Sequence, residues 1–303
     1  MSAVSLKNVT KRYDALTAIR DFSLEISEAS VFGLLGPNGA GKTTTIRMVM
    51  NIIAPDEGEI VVLGRRMEEA TKDRIGYLPE ERGLYGKMKV LDQLVFLGGI
   101  KSVPKEEARR RAEDWLGRLE LSEWGDRLTA DLSRGMQQKV QFIATVLHDP
   151  DLVVLDEPFA GLDPINTDLL RDIMLDLKEK GKTIIFSTHL MEHAERICDA
   201  ICLINRGAKV LDGRLSEIKR RYGRNTVVME FDGDEGFLNN SDLVKRKNWY
   251  GRYVEIQLQE KVDPQDLLKI ALAKAKIRRF ELAEPSLHDI FVEEVSGADE
   301  QSA

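Results

Sequence analysis

The alternation of apolar and polar residues divides the first two thirds of the chain into short strands and helices. Period-two alternation within residues 4–26 predicts extended segments. Residues 31–35, 152–155 and 183–187 are apolar on both faces, which is typical of strands buried inside a parallel sheet. A helical stretch follows each of these runs. Strands that alternate with helices predict a mostly parallel sheet covered on both faces, with ligand-binding loops at the carboxyl ends of its strands.

The pattern changes near residue 223, where a Tyr-Gly-Arg-Asn sequence ends a helix. We therefore predict a main α/β domain over residues 1–222, with a helical subdomain at about 88–148. A small α+β domain is expected over residues 223–296, and residues 297–303 are expected to form a disordered tail. The expected elements of the small domain are, in order, a strand at 226–231, a loop rich in Asp, Gly and Asn, a strand at 253–258, a helix at 264–276, a strand at 278–282 and a final helix.

Composition and charge narrow the functional classes. The chain has 303 residues, is 43% hydrophobic and 31% charged, and carries a net charge of −7, which is typical of a soluble globular protein. No apolar run approaches the roughly 18–20 residues that span a bilayer. Its two cysteines, Cys198 and Cys202, disfavour a disulfide scaffold and a four-ligand zinc site, and favour a reducing compartment. The acidic balance disfavours nucleic acid as a partner.

A glycine-rich segment with the pattern G-x-x-x-x-G-K-[ST] follows the first buried strand. Its residues are Gly36, Pro37, Asn38, Gly39, Ala40, Gly41, Lys42 and Thr43. The glycines let backbone N–H groups curl around phosphates, the helix that follows favours an anion at its N-terminus, and a lysine neutralises phosphate charge. The strand, the spacing and the Lys-Thr pair all agree, which disfavours a fortuitous glycine-rich turn. The segment predicts a site for ATP, with Thr43 as a ligand of Mg²⁺.

Two adjacent carboxylates, Asp156 and Glu157, end the second buried strand. Acidic residues often end strands before turns, so the pair alone is a weak signal. Downstream of a phosphate-binding loop, however, such a pair is expected to hold Mg²⁺ through Asp156 and to polarise the attacking water through Glu157. Together the two motifs predict an ATPase.

Three further segments occur in a characteristic order. Leu-Ser-Arg-Gly-Met-Gln-Gln at 132–138 precedes the paired carboxylates, Gly-Leu-Asp-Pro at 161–164 follows them, and Ser-Thr-His at 187–189 ends the third buried strand. In this order the segments resemble the ATP-binding subunits of ABC transporters, in particular the bacterial sodium-efflux and multidrug-export type. The resemblance covers about residues 1–222, and the remainder resembles the C-terminal appendage of that group. It implies a P-loop ATPase domain with a parallel core, an antiparallel β subdomain and a helical subdomain.

The resemblance also implies roles for individual residues. Catalysis would involve Lys42, Glu157 and His189. ATP would be bound by Tyr13, Gly36, Pro37, Asn38, Gly39, Ala40, Gly41, Lys42, Thr43 and Thr44, and from a second subunit by Ser133, Gly135 and Asp163. Mg²⁺ would be held by Thr43, Asp156 and Glu80.

The chain departs from the family pattern at two places. Glu80 replaces a glutamine, which keeps an oxygen ligand for Mg²⁺ but adds negative charge near the phosphates. Arg134 and Met136 replace a glycine and a glutamine, and Arg134 either compensates that charge from a second subunit or faces solvent. We expect hydrolysis despite both changes.

Several side chains allow two interpretations. Tyr13 either stacks on adenine or packs in the core. Leu84, Tyr85 and Met88 either contact a membrane subunit or tuck inward as part of a solvated loop; they lie at positions where the resemblance places a groove for such a subunit. Of the remaining histidines, His148 and His193 are expected to be solvated helix residues, and His288 has no evident partner.

The resulting hypothesis is an ATPase that drives a separate transmembrane permease through ATP-dependent head-to-tail dimer closure, with export favoured over import. The expected partners are the permease and a second copy of the chain or a related subunit, and the expected location is the cytoplasmic face of the cell membrane. Two alternatives remain. One is a soluble ATPase acting on ribosomes or DNA, which the single cassette and acidic charge disfavour. The other is a catalytically weak regulatory subunit, which Glu80 and Met136 alone support.

Overall fold

The computed structural model describes residues 2–14, 16–66, 68–81, 83–222, 226–259, 262–283 and 285–300. The chain divides into two compact units, Met1–Gly213 and Arg214–Ala303.

A six-stranded sheet lies at the centre of the first unit. Its strands are β3 (Val31–Leu35), β5 (Ile75–Leu78), β6 (Leu152–Asp156), β7 (Thr183–Thr188), β8 (Ala200–Asn205) and β9 (Ala208–Arg214). The order is β5-β6-β7-β3-β8-β9, and the pairs from β5 through β3 to β8 are parallel. The register pairs Asp156 with Ser187 and Leu35 with Thr188. The carboxyl ends of β3, β6 and β7 therefore meet at one edge, as the sequence predicts.

An antiparallel sheet accompanies the central one. It consists of β1 (Ser2–Tyr13), β2 (Leu16–Ser27) and β4 (Glu57–Val62) in the order β2-β1-β4. Its inward side chains, such as Phe22, share a buried apolar cluster with Phe32 of β3 and with Ile46 of the first helix. The predicted antiparallel β subdomain is confirmed.

Helices cover the central sheet and form a bundle beside it. Their bounds are α1 (Lys42–Val49), α2 (Glu69–Lys72), α3 (Val90–Ile100), α4 (Lys105–Arg118), α5 (Arg134–Val146), α6 (Pro164–Glu179) and α7 (Met191–Ile197). In the bundle, α4 and α5 contact each other through Trp115, whose ring lies edge-on to Phe142 at 6.2 Å between ring centroids. Close packing depends on Gly98 of α3, because a Cβ there would lie 2.5 Å from the Leu147 side chain.

The second unit contains a four-stranded antiparallel sheet in the order β11-β12-β10-β13. Its elements are α8 (Leu215–Tyr222), β10 (Thr226–Gly233), β11 (Val244–Tyr250), β12 (Tyr253–Leu258), α9 (Pro264–Lys274), β13 (Ala275–Leu282) and α10 (Leu287–Glu300). Met229, Ile256 and Leu267 lie in its buried apolar core. The predicted strands and helix are present. β11 falls in a region that the sequence analysis assigned to a loop, and α10 extends through four residues of the expected tail.

No helix in the described part of the chain has both the length and the apolar content needed to cross a bilayer.

Candidate active site

The glycine-rich segment forms a tight loop between β3 and α1. Gly36 has a φ of 153°, and a Cβ there would lie 2.2 Å from the carbonyl oxygen of Ile204. Gly41 has a φ of 111°, and its Cβ would lie 2.5 Å from the Ile19 side chain. Both positions therefore exclude a side chain on steric and conformational grounds. The loop ends at the N-terminus of α1, where unpaired N–H groups and the helix dipole favour an anion.

The side chain of Lys42 bends back over this loop. Its Nζ donates to the carbonyl oxygens of Gly36 at 2.8 Å and Pro37 at 3.2 Å, and lies 3.6 Å from Oε1 of Glu157. Only 6% of Lys42 is exposed. The loop's own carbonyls hold the ammonium group in place, so a positive charge stands beside the anion-binding N-terminus and beside a carboxylate.

Asp156, at the end of β6, is fully buried. Its Oδ1 accepts a hydrogen bond from Oγ of Ser187 at 2.5 Å, whereas its Oδ2 has no hydrogen-bond partner among the described residues. A buried carboxylate oxygen without a donor is costly unless a cation or water approaches it. Oxygen ligands of this kind suit Mg²⁺, and the hydroxyl of Thr43 in the first turn of α1 is of the same type. The side chains present therefore fit a magnesium ion.

Glu157 and His189 are brought together from two different strands. Nδ1 of His189 lies 3.0 Å from Oε1 of Glu157, so the expected catalytic carboxylate and histidine are in direct contact. The backbone N–H of Glu157 donates to Oγ of Ser187 at 3.1 Å. Glu157 has a φ of 50°, in the left-handed region that residues with a Cβ rarely adopt. Such strained backbones occur at sites where a side chain must be held in one position.

Ser187 contacts both Asp156 and Glu157, a link that the sequence pattern did not predict. It is fully buried, donates to Asp156 and accepts from Glu157, and so links both carboxylates. A signal was present: Ser187 is a polar residue at the end of an otherwise apolar buried strand, immediately before Thr188 and His189.

The three residues expected to act on a second subunit lie at or near helix N-termini. Ser133 caps α5 by accepting the N–H of Met136 at 3.3 Å. Asp163 caps α6 by accepting the N–H of Asn166 at 2.9 Å, and this bond holds the pKa of the Asp163 carboxyl below its usual value. Gly135 lies close to the loop before α6, since a Cβ there would lie 3.3 Å from the carbonyl oxygen of Gly161. The action of the three residues across a dimer stays a prediction.

Tyr13 and Glu80 lie on the surface. Tyr13 is 45% exposed at the end of β1, so its interpretation as a core aromatic is wrong, and stacking on adenine stays a prediction. Glu80 is exposed in the segment after β5. Burial raises the pKa of Tyr77, and the negative charges of Asp156 and Glu80 raise it further. Asp156 and Glu80 thus both raise the pKa of the Tyr77 hydroxyl. A role for Glu80 as a metal ligand stays a prediction.

The expectation that His148 and His193 are solvated is wrong. The side chain of His148 is half-buried, and its Nε2 lies 3.2 Å from the carbonyl oxygen of Ile75. Burial is the main cause that lowers the pKa of His148 to about 4. His193 stacks on Phe159 at 4.7 Å between ring centroids. A position in or next to a helix predicted both rings to be outside, but each ring is half-buried against a residue distant in sequence.

An apolar surface lies beside the segment that follows β5. A cavity of about 280 Å³ is lined by Leu84, Leu97 and Ile100 among other side chains. Tyr85 is 54% exposed, and its ring lies edge-on to that of Phe96 at 6.3 Å between ring centroids. The interpretation that the apolar side chains of this segment tuck inward is therefore wrong for Tyr85.

Two family models match the chain. The model described as "ABC transporter" matches residues 19–160, and the model described as "ATP-binding protein DrrA1-3-like, C-terminal domain" matches residues 213–295. The two matches agree with the predicted resemblance of the cassette and of the C-terminal appendage.

Individual relatives extend this result over almost the whole chain. The uncharacterized ABC transporter ATP-binding protein YhaQ of Bacillus subtilis is 43% identical over 96% of this chain and 98% of its own length. The Nod factor export ATP-binding protein I of Sinorhizobium fredii is 36% identical over 70% of this chain and 63% of its own.

Solved structures show the same fold. The dimeric structure of a post-hydrolysis state of the ATP-binding cassette MJ0796, bound to ADP and phosphate, matches with a TM-score of 0.64 at 25% identity. The match covers 70% of this chain and 98% of that one.

Proposed function

Because this chain belongs to the ATP-binding subunits of ABC transporters, a family of ATPases, we propose that it hydrolyses ATP to drive a separate integral-membrane permease. One observation carries the catalytic part of this proposal. Lys42, Glu157 and His189 converge at the mouth of the glycine-rich loop, beside the buried Asp156. An anion-binding loop, a lysine, a carboxylate with a histidine contact and an unsatisfied carboxylate oxygen are the parts that phosphoryl transfer to water requires.

Each group has a role in this reaction. The N–H groups of residues 36–44 and the ammonium of Lys42 would bind the β- and γ-phosphates of ATP. Glu157 would orient and polarise the attacking water, and His189 would contact the γ-phosphate and help to hold that water. Tyr13 would stack on the adenine. Mg²⁺, held by Thr43, Asp156 and Glu80, would supply charge neutralisation on the phosphates.

The complete site would require two chains. Ser133 and Gly135 at the N-terminus of α5 and Asp163 before α6 would meet the nucleotide bound by a second copy or by a related subunit. A helix N-terminus that offers N–H groups to a phosphate can close such a pocket from the opposite side. ATP would then favour a head-to-tail closed dimer and hydrolysis would reopen it. The dimeric state of the similar cassette MJ0796 supports this arrangement.

The permease would dock on the apolar surface around Leu84, Tyr85 and Phe96. An exposed aromatic pair beside an apolar cavity is typical of a protein-binding site. Such docking would place the chain at the cytoplasmic face of the cell membrane. The name of the Nod factor export relative supports export as the direction of transport.

A comparison of the purified chain with its Glu157→Gln variant tests the catalytic part. We expect Mg²⁺-dependent phosphate release by the wild type, a loss of at least a hundredfold in Glu157→Gln, and retained ATP binding with an ATP-dependent dimer measured by light scattering. Glu106→Gln, at an exposed position of α4, serves as the matched control and should keep the wild-type rate. A wild-type rate in Glu157→Gln would contradict the proposed role.

Affinity purification from gently solubilised membranes tests the transport part. A stoichiometric polytopic membrane protein is the expected companion. Recovery with ribosomes or DNA instead would contradict transport while leaving the ATPase chemistry in place.

A further inference from the structure

The aromatic ring of Phe159 anchors the segment that follows Glu157. Phe159 is buried and lies in the loop between β6 and α6. Its ring is edge-on to Phe186 of β7, with centroids 5.8 Å apart and an angle of 83°. On another side it stacks on the imidazole of His193 in α7, with centroids 4.7 Å apart and an angle of 23°. The three rings therefore fasten this loop to the strand and the helix on either side of His189.

Glu157 depends on such an anchor because its own backbone is unfavourable. A φ of 50° is disfavoured for a residue with a Cβ, so the surrounding structure must hold it there. The loop makes turn hydrogen bonds from Ala160 N–H to Glu157 at 3.1 Å and from Leu162 N–H to Phe159 at 3.2 Å. The packed ring of Phe159 adds to these bonds, and its displacement would remove one of the contacts that keep Glu157 within 3.0 Å of Nδ1 of His189.

The contact between His193 and Phe159 depends on ring stacking rather than on a charge. Burial lowers the pKa of His193 and so favours the neutral imidazole. The charged groups around it are of both signs and comprise Glu157, Glu192 and Arg196, with His189 nearby. A neutral ring of similar size should therefore reproduce the contact, whereas a side chain without a ring should not.

We propose that His193 is a positioning residue for ATP hydrolysis: its ring, stacked on Phe159, keeps the carboxylate of Glu157 within hydrogen-bonding distance of His189. The inference rests on the proposed ATPase function and adds a residue that neither phosphate nor metal would touch. Loss of the His193 ring should lower the rate of the chemical step and leave the affinity for nucleotide unchanged. The phosphate-binding loop and Lys42 are not part of the stack.

Steady-state hydrolysis by substituted chains tests this proposal. His193→Ala and His193→Gln should lower kcat on the order of tenfold, with the KM for ATP within about twofold of the wild type. His193→Phe should keep kcat within about twofold. Phe159→Ala should be at least as slow as His193→Ala, because it removes the contact with Phe186 as well as the contact with His193. The double variant should be no slower than Phe159→Ala, because the stack is already absent there.

Controls separate positioning from a loss of folding. His288→Ala, at an exposed position of α10, should behave as the wild type, and the thermal midpoint and ATP binding of every variant are measured alongside kcat. Wild-type kcat in both His193→Ala and His193→Gln would overturn the proposal, and so would a His193→Phe variant as slow as His193→Ala. Absence of hydrolysis in the wild type would overturn the proposed function together with this inference, whereas a normal rate in the variants would overturn the inference alone.

Discussion

Ser187→Ala should impair hydrolysis although residue 187 would touch neither nucleotide nor metal. The hydroxyl of Ser187 donates to Oδ1 of Asp156 at 2.5 Å and accepts the N–H of Glu157 at 3.1 Å. A hydrogen bond to a charged group contributes about 1.5–3 kcal/mol, and its loss leaves a buried carboxylate without a donor on either oxygen. If this energy is needed to hold the two carboxylates in their reactive positions, kcat should fall roughly tenfold to a hundredfold.

Phosphate release at saturating ATP over a series of Mg²⁺ concentrations measures this effect. We expect a lower kcat together with a requirement for more Mg²⁺, because Asp156 is the proposed metal ligand and its orientation depends on Ser187. Ser30→Ala is the matched control, since that hydroxyl is exposed and donates to the carbonyl of Ser27 at 2.7 Å. A Ser187→Ala variant with the wild-type kcat and the wild-type Mg²⁺ requirement would refute this reasoning.

Three further outcomes are expected. Glu80→Gln should change the Mg²⁺ dependence of hydrolysis, because it removes the negative charge of a proposed Mg²⁺ ligand. An unchanged dependence would exclude Glu80 as a ligand. Tyr13→Ala should raise the KM for ATP on the order of tenfold because it removes base stacking, whereas Tyr13→Phe should leave the KM near the wild-type value. Equal KM values in the two variants would contradict stacking. Burial lowers the pKa of His148 from 6.5 to about 4, so the unfolded chain binds the proton more readily than the folded chain. The free energy of unfolding should therefore fall as the pH drops from about 6.5 towards 4. Urea unfolding at pH 7 and pH 5 should show a loss on the order of 2 kcal/mol, less after screening by solvent, and a smaller loss in His148→Gln; equal losses in the two chains would contradict the assignment.

The fold was predictable where local pattern and burial agree. Strands β3, β6 and β7 are apolar on both faces, a pattern typical of strands inside a covered parallel sheet. Strand β11 was missed for the opposite reason. It is an edge strand whose Lys245, Arg246 and Lys247 interrupt the apolar alternation, and charged residues of this kind protect sheet edges from pairing with other chains.

The candidate site likewise has features that the sequence predicts and features that it does not. The phosphate-binding loop was predictable because its function depends on neighbouring backbone groups and on the conformations of Gly36 and Gly41, which a local sequence pattern specifies completely. The contacts of Ser187 and His193 were not predictable. They join residues about thirty positions apart, and a helical or strand period says only which way a side chain faces, not what it meets there.

By itself the sequence determined the family and the α/β cassette with its small second domain, and it predicted which groups would bind phosphate and metal. These properties follow from short segments, because period, spacing and side-chain chemistry are local. Only the tertiary structure decided that Glu157 meets His189, that Ser187 links the two carboxylates, and that Phe159 is held between two rings. The physical reason is that parallel strands bring together the carboxyl ends of segments far apart in the chain, and the contacts formed there depend on sheet order and register rather than on any one segment.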